Sequence, residues 1–193
     1  VFNEPHATQW VAEMVEMVKT LDDKGHAYNV DGTVFFDVST FDSFGAVSGY
    51  DEATMIEYAA ERGGHPDDPR QRNPLDFILW QPSLDDEPCW PSPWGDGRPG
   101  WHIECSAMAK GTIGETIDLH GGGSDLIFPH HECERAQSET ANGTTFVTHW
   151  MHCGMVAYEG TKMSKSLGNL VFVSELSKVA DPRAIRLALM RHH

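Results

Sequence analysis

From residue 101 onward, stretches with helical period alternate with short apolar runs of β-forming residues, and this alternation restricts the fold more than any other feature. A helix is predicted near Trp101, then a strand at 116–119 and a helix opened by Pro129, a favoured first-turn residue. Strand-like runs at 146–151 and 155–158 follow, then helices at 174–179 and 182–190. Strands separated by helices are joined by crossovers rather than hairpins, which gives a parallel sheet with helices packed on it. Ligands of such α/β folds bind where the strands end.

The first half has a different pattern. Residues 8–24 carry Trp10, Val11, Met14, Val15, Val18 and Leu21 on one helical stripe, with Gly25 as the stop. Two β-rich runs, 27–30 and 33–38, flank Asp31-Gly32, a strong hairpin signal. A helix over 51–62 is capped by Asp51 and closed by Gly63-Gly64, and 75–80 is a compact apolar run suited to a buried strand. Residues 81–100 are dominated by proline and glycine but include Trp90 and Trp94, which predicts an anchored loop rather than a disordered linker.

Charge and cysteine usage narrow the function classes. With 14 Lys and Arg against 29 Asp and Glu, the formal net charge is −15, which opposes broad adhesion to nucleic acid while leaving room for a local basic contact. No apolar run approaches the roughly 18 residues of a membrane helix, so no membrane partner is expected. The four cysteines lack the spacing of a secreted disulfide scaffold, which points to reduced thiols in the cytoplasm. The chain lacks a basic-then-apolar leader and begins with Val1, as a piece of a longer protein would.

Two clusters carry the chemistry. Six of the eleven histidines and three of the four cysteines lie between residues 102 and 153. The sharpest subset is Cys105 with His130 and Glu134, the latter two sharing a face if they lie on one helix. Thiolate, imidazole and carboxylate together are a zinc ligand set, although the spacing alone fits a buried small residue and a helix-start histidine equally well. His131, Cys133, His149, His152 and Cys153 read as structural or pocket-lining. The second cluster is Lys162-Met163-Ser164-Lys165-Ser166, two lysines in a polar loop. Neighbouring ammonium groups repel unless an anion such as a polyphosphate lies between them. The run Gly121-Gly122-Gly123-Ser124-Asp125 permits close approach of a ligand to the backbone.

These strings together resemble a known family. KMSKS at 162–166 is similar to the ATP-loop signature of class I aminoacyl-tRNA synthetases. GRPGWHIECSAM at 97–108 and HGGGSDLIFPHHECE at 120–134 resemble its cysteine-activating branch, which holds cysteinyl-tRNA synthetases and the cysteine ligases of mycothiol synthesis. The resemblance covers nearly the whole chain. It implies the second half of a Rossmann-type catalytic domain at 91–193 and an insertion subdomain at 1–90. The HIGH-type motif and a further zinc cysteine are expected upstream, so this stretch alone is expected to be inactive.

By matching positions, Cys105, His130 and Glu134 are implied zinc ligands. Trp101, Gly123, Ser124, Asp125 and Val156 are implied to line the cysteinyl-adenylate pocket, and Lys162 and Lys165 to hold the ATP phosphates. The implied substrates are L-cysteine and ATP with Mg2+, and the implied state is a monomer. For the acceptor, ERGGHP at 61–66, SGYDEATM at 48–55, NLVFVSEL at 169–176 and Arg186-Leu187 resemble the mycothiol ligases, whose acceptor is the amine of glucosaminyl-inositol. His65 stands where that stretch usually has aspartate. His120 and Glu134 point instead to the synthetases and to tRNA(Cys). A degenerate, non-enzymatic binding module is disfavoured by the intact KMSKS string and the intact zinc positions.

Overall fold

Asp31 and Gly32 close the first hairpin with φ of 51° and 84°, the paired positive values that a tight two-residue turn requires. The computed structural model describes residues 3–163, 165 and 167–191; Ser164 and Ser166 of the lysine loop lie outside them. The hairpin strands β1 (Ala27–Val30) and β2 (Thr33–Phe36) pair antiparallel with Val30 opposite Thr33. Next to β2 lies β3 (Phe77–Gln81), then β4 (Arg98–Pro99), giving a four-stranded antiparallel sheet in sequence order.

Every residue of β2 is buried, and Phe36 stacks on Phe77 with ring centroids 4.9 Å apart. Helix α1 (Val11–Asp23) lays Val11, Met14, Met17, Val18 and Leu21 into the same core. Each such side chain, fully buried, is worth about 1.5–3 kcal/mol. Asp51 caps α2 (Glu52–Glu61) by accepting from the Thr54 amide at 2.8 Å, as its position before the helical run predicts. The loop at 81–100 is anchored through a Trp90–Gly97 bridge and through Trp94 beside Trp80.

The GRPG segment seats the next helix. A Cβ on Gly100 would lie 2.0 Å from the Ile78 carbonyl oxygen, so only glycine lets this strand approach β3 so closely. Helix α3 (Trp101–Thr112) starts immediately afterwards and packs against α1 and α4 (Glu132–Asn142). In sequence between α3 and α4 comes β5 (Ile117–Gly123), paired with β6 (Val147–Cys153); the Ile117 amide donates to the Phe146 carbonyl at 2.7 Å. The two strands are connected through α4, the strand–helix–strand unit expected from the alternating pattern.

The glycines 121–123 form the end of β5. One local expectation is corrected. Pro129 does not open the α-helix: it sits in an irregular turn, Ile127–His131, where Phe128 is extended (φ −141°, ψ 139°), and α4 begins only at Glu132.

The chain forms two units. One comprises Val1–His120 with Ile127–Trp150, the other Gly121–Leu126 with Met151–His193. The second unit holds the hairpin of β7 (Ala157–Tyr158) and β8 (Thr161–Lys162), turned at Glu159 and Gly160, and helices α5 (Val173–Leu176) and α6 (Pro182–Arg191). Among the described residues no helix is long and apolar enough to cross a membrane.

Candidate metal centre

Helix α3 supplies Cys105, the irregular turn supplies His130, and the first turn of α4 supplies Glu134. One ligand atom from each lies within 4.8 Å of the others. His130 and Glu134 are buried and Cys105 is partly buried. A carboxylate in the first turn of a helix is favoured by the helix dipole, which helps hold Glu134 ionised away from water. Gln137 ties the two helices together, donating from Nε2 to the His102 carbonyl at 2.5 Å and to Ser106 Oγ at 2.6 Å.

The protonation states follow from this packing. Burial works to raise the Glu134 carboxyl, but the adjoining His120 and His130 rings outweigh it and hold the group at about 2. His130 Nε2 is 2.5 Å from Glu134 Oε1, and His120 Nε2 is 3.1 Å from Oε2. That second contact is close but poorly aligned, so Oε2 remains a buried oxygen without a hydrogen-bond partner. Burial, with the negative charges of Glu134 and Glu104, pushes the Cys105 thiol up to about 12. A metal must therefore displace the Cys105 proton when it binds.

Sulfur, nitrogen and an under-bonded carboxylate oxygen converging in a mostly buried space suit zinc. The surroundings contain two partners that side-chain type alone did not single out. His102 Nδ1 lies 2.8 Å from His130 Nδ1, and burial, then the neighbouring His130, lower the His102 pKa to about 3, so its ring is neutral. His102 precedes Cys105 by three residues on α3, a spacing that puts both on one face and was the available signal. His120 leans edge-on against His131 and Trp150, which fixes the ring beside Glu134. His131 and Cys133 are buried, whereas His149 and Cys153 are exposed.

Of the other residues singled out in the sequence, Trp101 joins the triad directly. Its ring, 53% exposed, stacks on His130 at 4.3 Å between centroids. Gly123, Ser124, Asp125, Val156 and Lys165 lie in the second unit. A Cβ on Gly123 would meet Asp125 Oδ1 at 2.6 Å and Met155 Sδ at 3.1 Å, so these two side chains pack close against the Gly123 backbone. Lys165 is exposed in a turn closed by the Gly168 amide on its carbonyl at 3.2 Å. Lys162 pairs with Ala157 in the β7–β8 hairpin, and its side chain lies outside the described residues.

Comparison with known proteins adds an independent line. The family profile for the tRNA synthetases class I (C) catalytic domain matches residues 2–193. An L-cysteine:1D-myo-inositol 2-amino-2-deoxy-alpha-D-glucopyranoside ligase from Streptosporangium roseum is 52% identical over 187 residues, covering 96% of this chain and 46% of the relative. A cysteine–tRNA ligase from Xanthomonas euvesicatoria is also 52% identical, over 191 residues, covering 98% of this chain and 39% of the relative. The chain thus spans less than half the length of either. A solved structure from Campylobacter jejuni, described as an arginyl tRNA synthetase, superposes over 93% of this chain and 31% of its own length, with a TM-score of 0.50 and 12% identity, a likeness of fold alone. The α/β chain belongs to the class I (C) tRNA synthetase catalytic domain family.

Proposed function

We propose that the protein containing this chain activates L-cysteine with ATP and transfers it to the amine of glucosaminyl-inositol. The observation that carries the cysteine half is the triad of partly buried Cys105 and buried His130 and Glu134, with the exposed Trp101 stacked on His130. A zinc ion bound there supplies a soft ligand position that a thiolate fills and a serine hydroxyl matches poorly. An apolar pocket alone separates two such similar side chains by only about 1–3 kcal/mol.

In the first step a cysteine carboxylate oxygen attacks the α-phosphorus of ATP. The bond to the bridging oxygen breaks, and pyrophosphate leaves with the electron pair. Lys162 and Lys165 are assigned to the phosphates, where their charges offset the negative charge that builds on the leaving group. Gly123, Ser124, Asp125 and Val156 are assigned with Trp101 to the adenylate. In the second step the amine nitrogen attacks the cysteinyl carbonyl, the carbon–oxygen bond to phosphate breaks, and AMP departs while the amine sheds a proton. Residues 1–90 are assigned as the insertion and 91–193 as the second half of the catalytic domain.

The acceptor assignment draws on the ERGGHP and NLVFVSEL strings and on the name of the Streptosporangium relative. The second reading, transfer to the terminal ribose hydroxyl of tRNA(Cys), draws on two residues in contact. His120 and Glu134, which resemble the synthetases, stand 3.1 Å apart. That contact makes them one physical feature rather than two independent pieces of support. The net charge of −15 is poorly matched to a long phosphate backbone.

A contest decides between them. Full-length enzyme is given labelled cysteine, ATP, glucosaminyl-inositol and tRNA(Cys) together. The expected product is an alkali-stable amide whose formation barely responds to salt. Label found on tRNA as an alkali-labile ester, with no amide, would establish the synthetase reading instead.

A further inference from the structure

His130 owes its place to an irregular turn rather than to an α-helix. Phe128 is extended within that turn, Ile127–His131, and α4 begins only at Glu132. An irregular stretch lacks the regular backbone ladder that fixes residues inside a helix, so contacts from other segments must hold it.

Many of those contacts come from a segment far earlier in the chain, residues 41–50, which lies in the same unit. The Phe44 and Tyr50 rings meet the Phe128 ring edge-on, with centroids 6.2 Å and 6.5 Å away. Arg62 adds a hydrogen bond to the Phe128 carbonyl. On the other side of His130, Glu132 receives the same early segment. Its Oε2 accepts from the Val47 amide at 2.9 Å and from the Ser48 amide at 3.2 Å. Arg135, the next residue on that face of α4, donates to the Ser43 carbonyl at 3.1 Å and to Ser43 Oγ at 3.0 Å. Residues 41–50 therefore grip the chain both before and after His130.

Glu132 is the least expected of these groups. Its side chain is wholly buried, and Oε1 has no hydrogen bond, with Arg135 Nη1 3.7 Å away. A buried carboxyl group satisfied on one side only costs free energy that an apolar side chain in its place would not. Stability alone therefore does not account for it, whereas holding two segments in one register does. Nor is it a ligand. Residues two apart on a helix do not share a face, and among the described residues Glu134, not Glu132, joins Cys105 and His130.

We propose that Glu132 is a positioning residue for the metal centre: by holding the 47–48 backbone it fixes the turn that carries His130, and so sets His130 against Cys105 and Glu134. This rests on the zinc reading of the triad given above and adds what keeps one of its ligands in place.

The test compares full-length wild type with Glu132→Leu, Glu132→Gln, Phe44→Leu and Tyr28→Phe. Glu132→Leu leaves the Val47 and Ser48 amides without their acceptor, whereas Glu132→Gln keeps an oxygen for them. Phe44→Leu loosens the grip on Phe128. Tyr28→Phe removes a 2.6 Å hydrogen bond to Asp76 and serves as the control for lost stability alone. Zinc affinity is read by chelator competition, and the KM values for cysteine and ATP by pyrophosphate exchange. Glu132→Leu should weaken zinc about 10- to 100-fold, with a smaller loss in Phe44→Leu and changes within about threefold in Glu132→Gln and Tyr28→Phe. The KM for cysteine should rise with the loss of zinc affinity while that for ATP stays within about twofold. Should Glu132→Leu fail to fold, Phe44→Leu decides. Zinc affinity unmoved in the deciding variant, or weakened as much in Tyr28→Phe, overturns the positioning role while a zinc-loaded wild type leaves the metal reading standing. A wild type that holds no zinc overturns both.

Discussion

At the scale of single residues, Glu134 is the side chain on which the proposed metal centre turns. It is buried, ionised and flanked by two histidines, and only one of these is among the proposed ligands. His120 holds it from the other side. In the full-length protein we expect Cys105→Ala or His130→Ala to strip the zinc, since each removes one of few ligands. His120→Ala should retain the metal but weaken its affinity about 10- to 100-fold, the usual effect of losing a group that orients a ligand. Metal content by elemental analysis and competition with a zinc chelator read both effects. Undiminished affinity in His120→Ala would reduce that ring to a packing role. The triad was legible as a candidate because thiol, imidazole and carboxylate together are a zinc ligand set, although the spacing alone fitted packing roles equally well and the family resemblance singled it out. His102 and its 2.8 Å contact with His130 were not, because a bond across 28 residues of sequence depends on how α3 meets the turn at 127–131.

At the scale of elements, turn chemistry made the first half readable. Asp31-Gly32, the Asp51 cap and the Gly63-Gly64 stop lie where the sequence places them, because each depends on only a few neighbouring residues. Pro129 shows the limit. It suits a helix start locally, yet the backbone stays irregular through His131, and that irregular turn carries His130 into the centre. Tertiary packing overrode a sound local preference.

The hairpin is tied to β3 by a buried bond that the strand pattern did not reveal. Tyr28 Oη donates to Asp76 Oδ2 at 2.6 Å, and Asp76 also accepts from the Val38 and Asn73 amides. Tyr28→Phe leaves that carboxylate short of a donor and should cost about 1–3 kcal/mol in chemical unfolding. Burial, then the bond to Asp76, raises the Tyr28 pKa above its ordinary 10.0. A raised folded pKa means that this stabilisation is complete below pH 10 and declines as the pH rises beyond it, where the unfolded chain ionises first. The gap between wild type and Tyr28→Phe should therefore narrow above pH 10. A gap constant with pH would contradict the assigned hydrogen bond.

At the scale of the whole molecule, the chain carries a metal-type triad in one unit and the lysine loop in the other. The α/β class was legible from the alternation after residue 101. The antiparallel sheet at 27–99 was only partly so, since the pairing of β3 with β2 and β4 joins segments far apart in sequence. In the full-length enzyme Lys165→Ala should cut cysteine-dependent ATP–pyrophosphate exchange about 100-fold or more, the scale of losing one donor to developing charge. Cysteine binding should hardly change. Collapse of cysteine affinity at an unaltered exchange rate would show that Lys165 has a different role. The central claim, that a metal held by Cys105, His130 and Glu134 selects the substrate by its thiol, is tested most directly by running the same exchange with cysteine and with serine, before and after the metal is removed by chelation. Cysteine should support exchange only in the metal-loaded enzyme, serine should fail in both, and added zinc should restore the cysteine rate; equal exchange with cysteine in the loaded and stripped enzyme would contradict it.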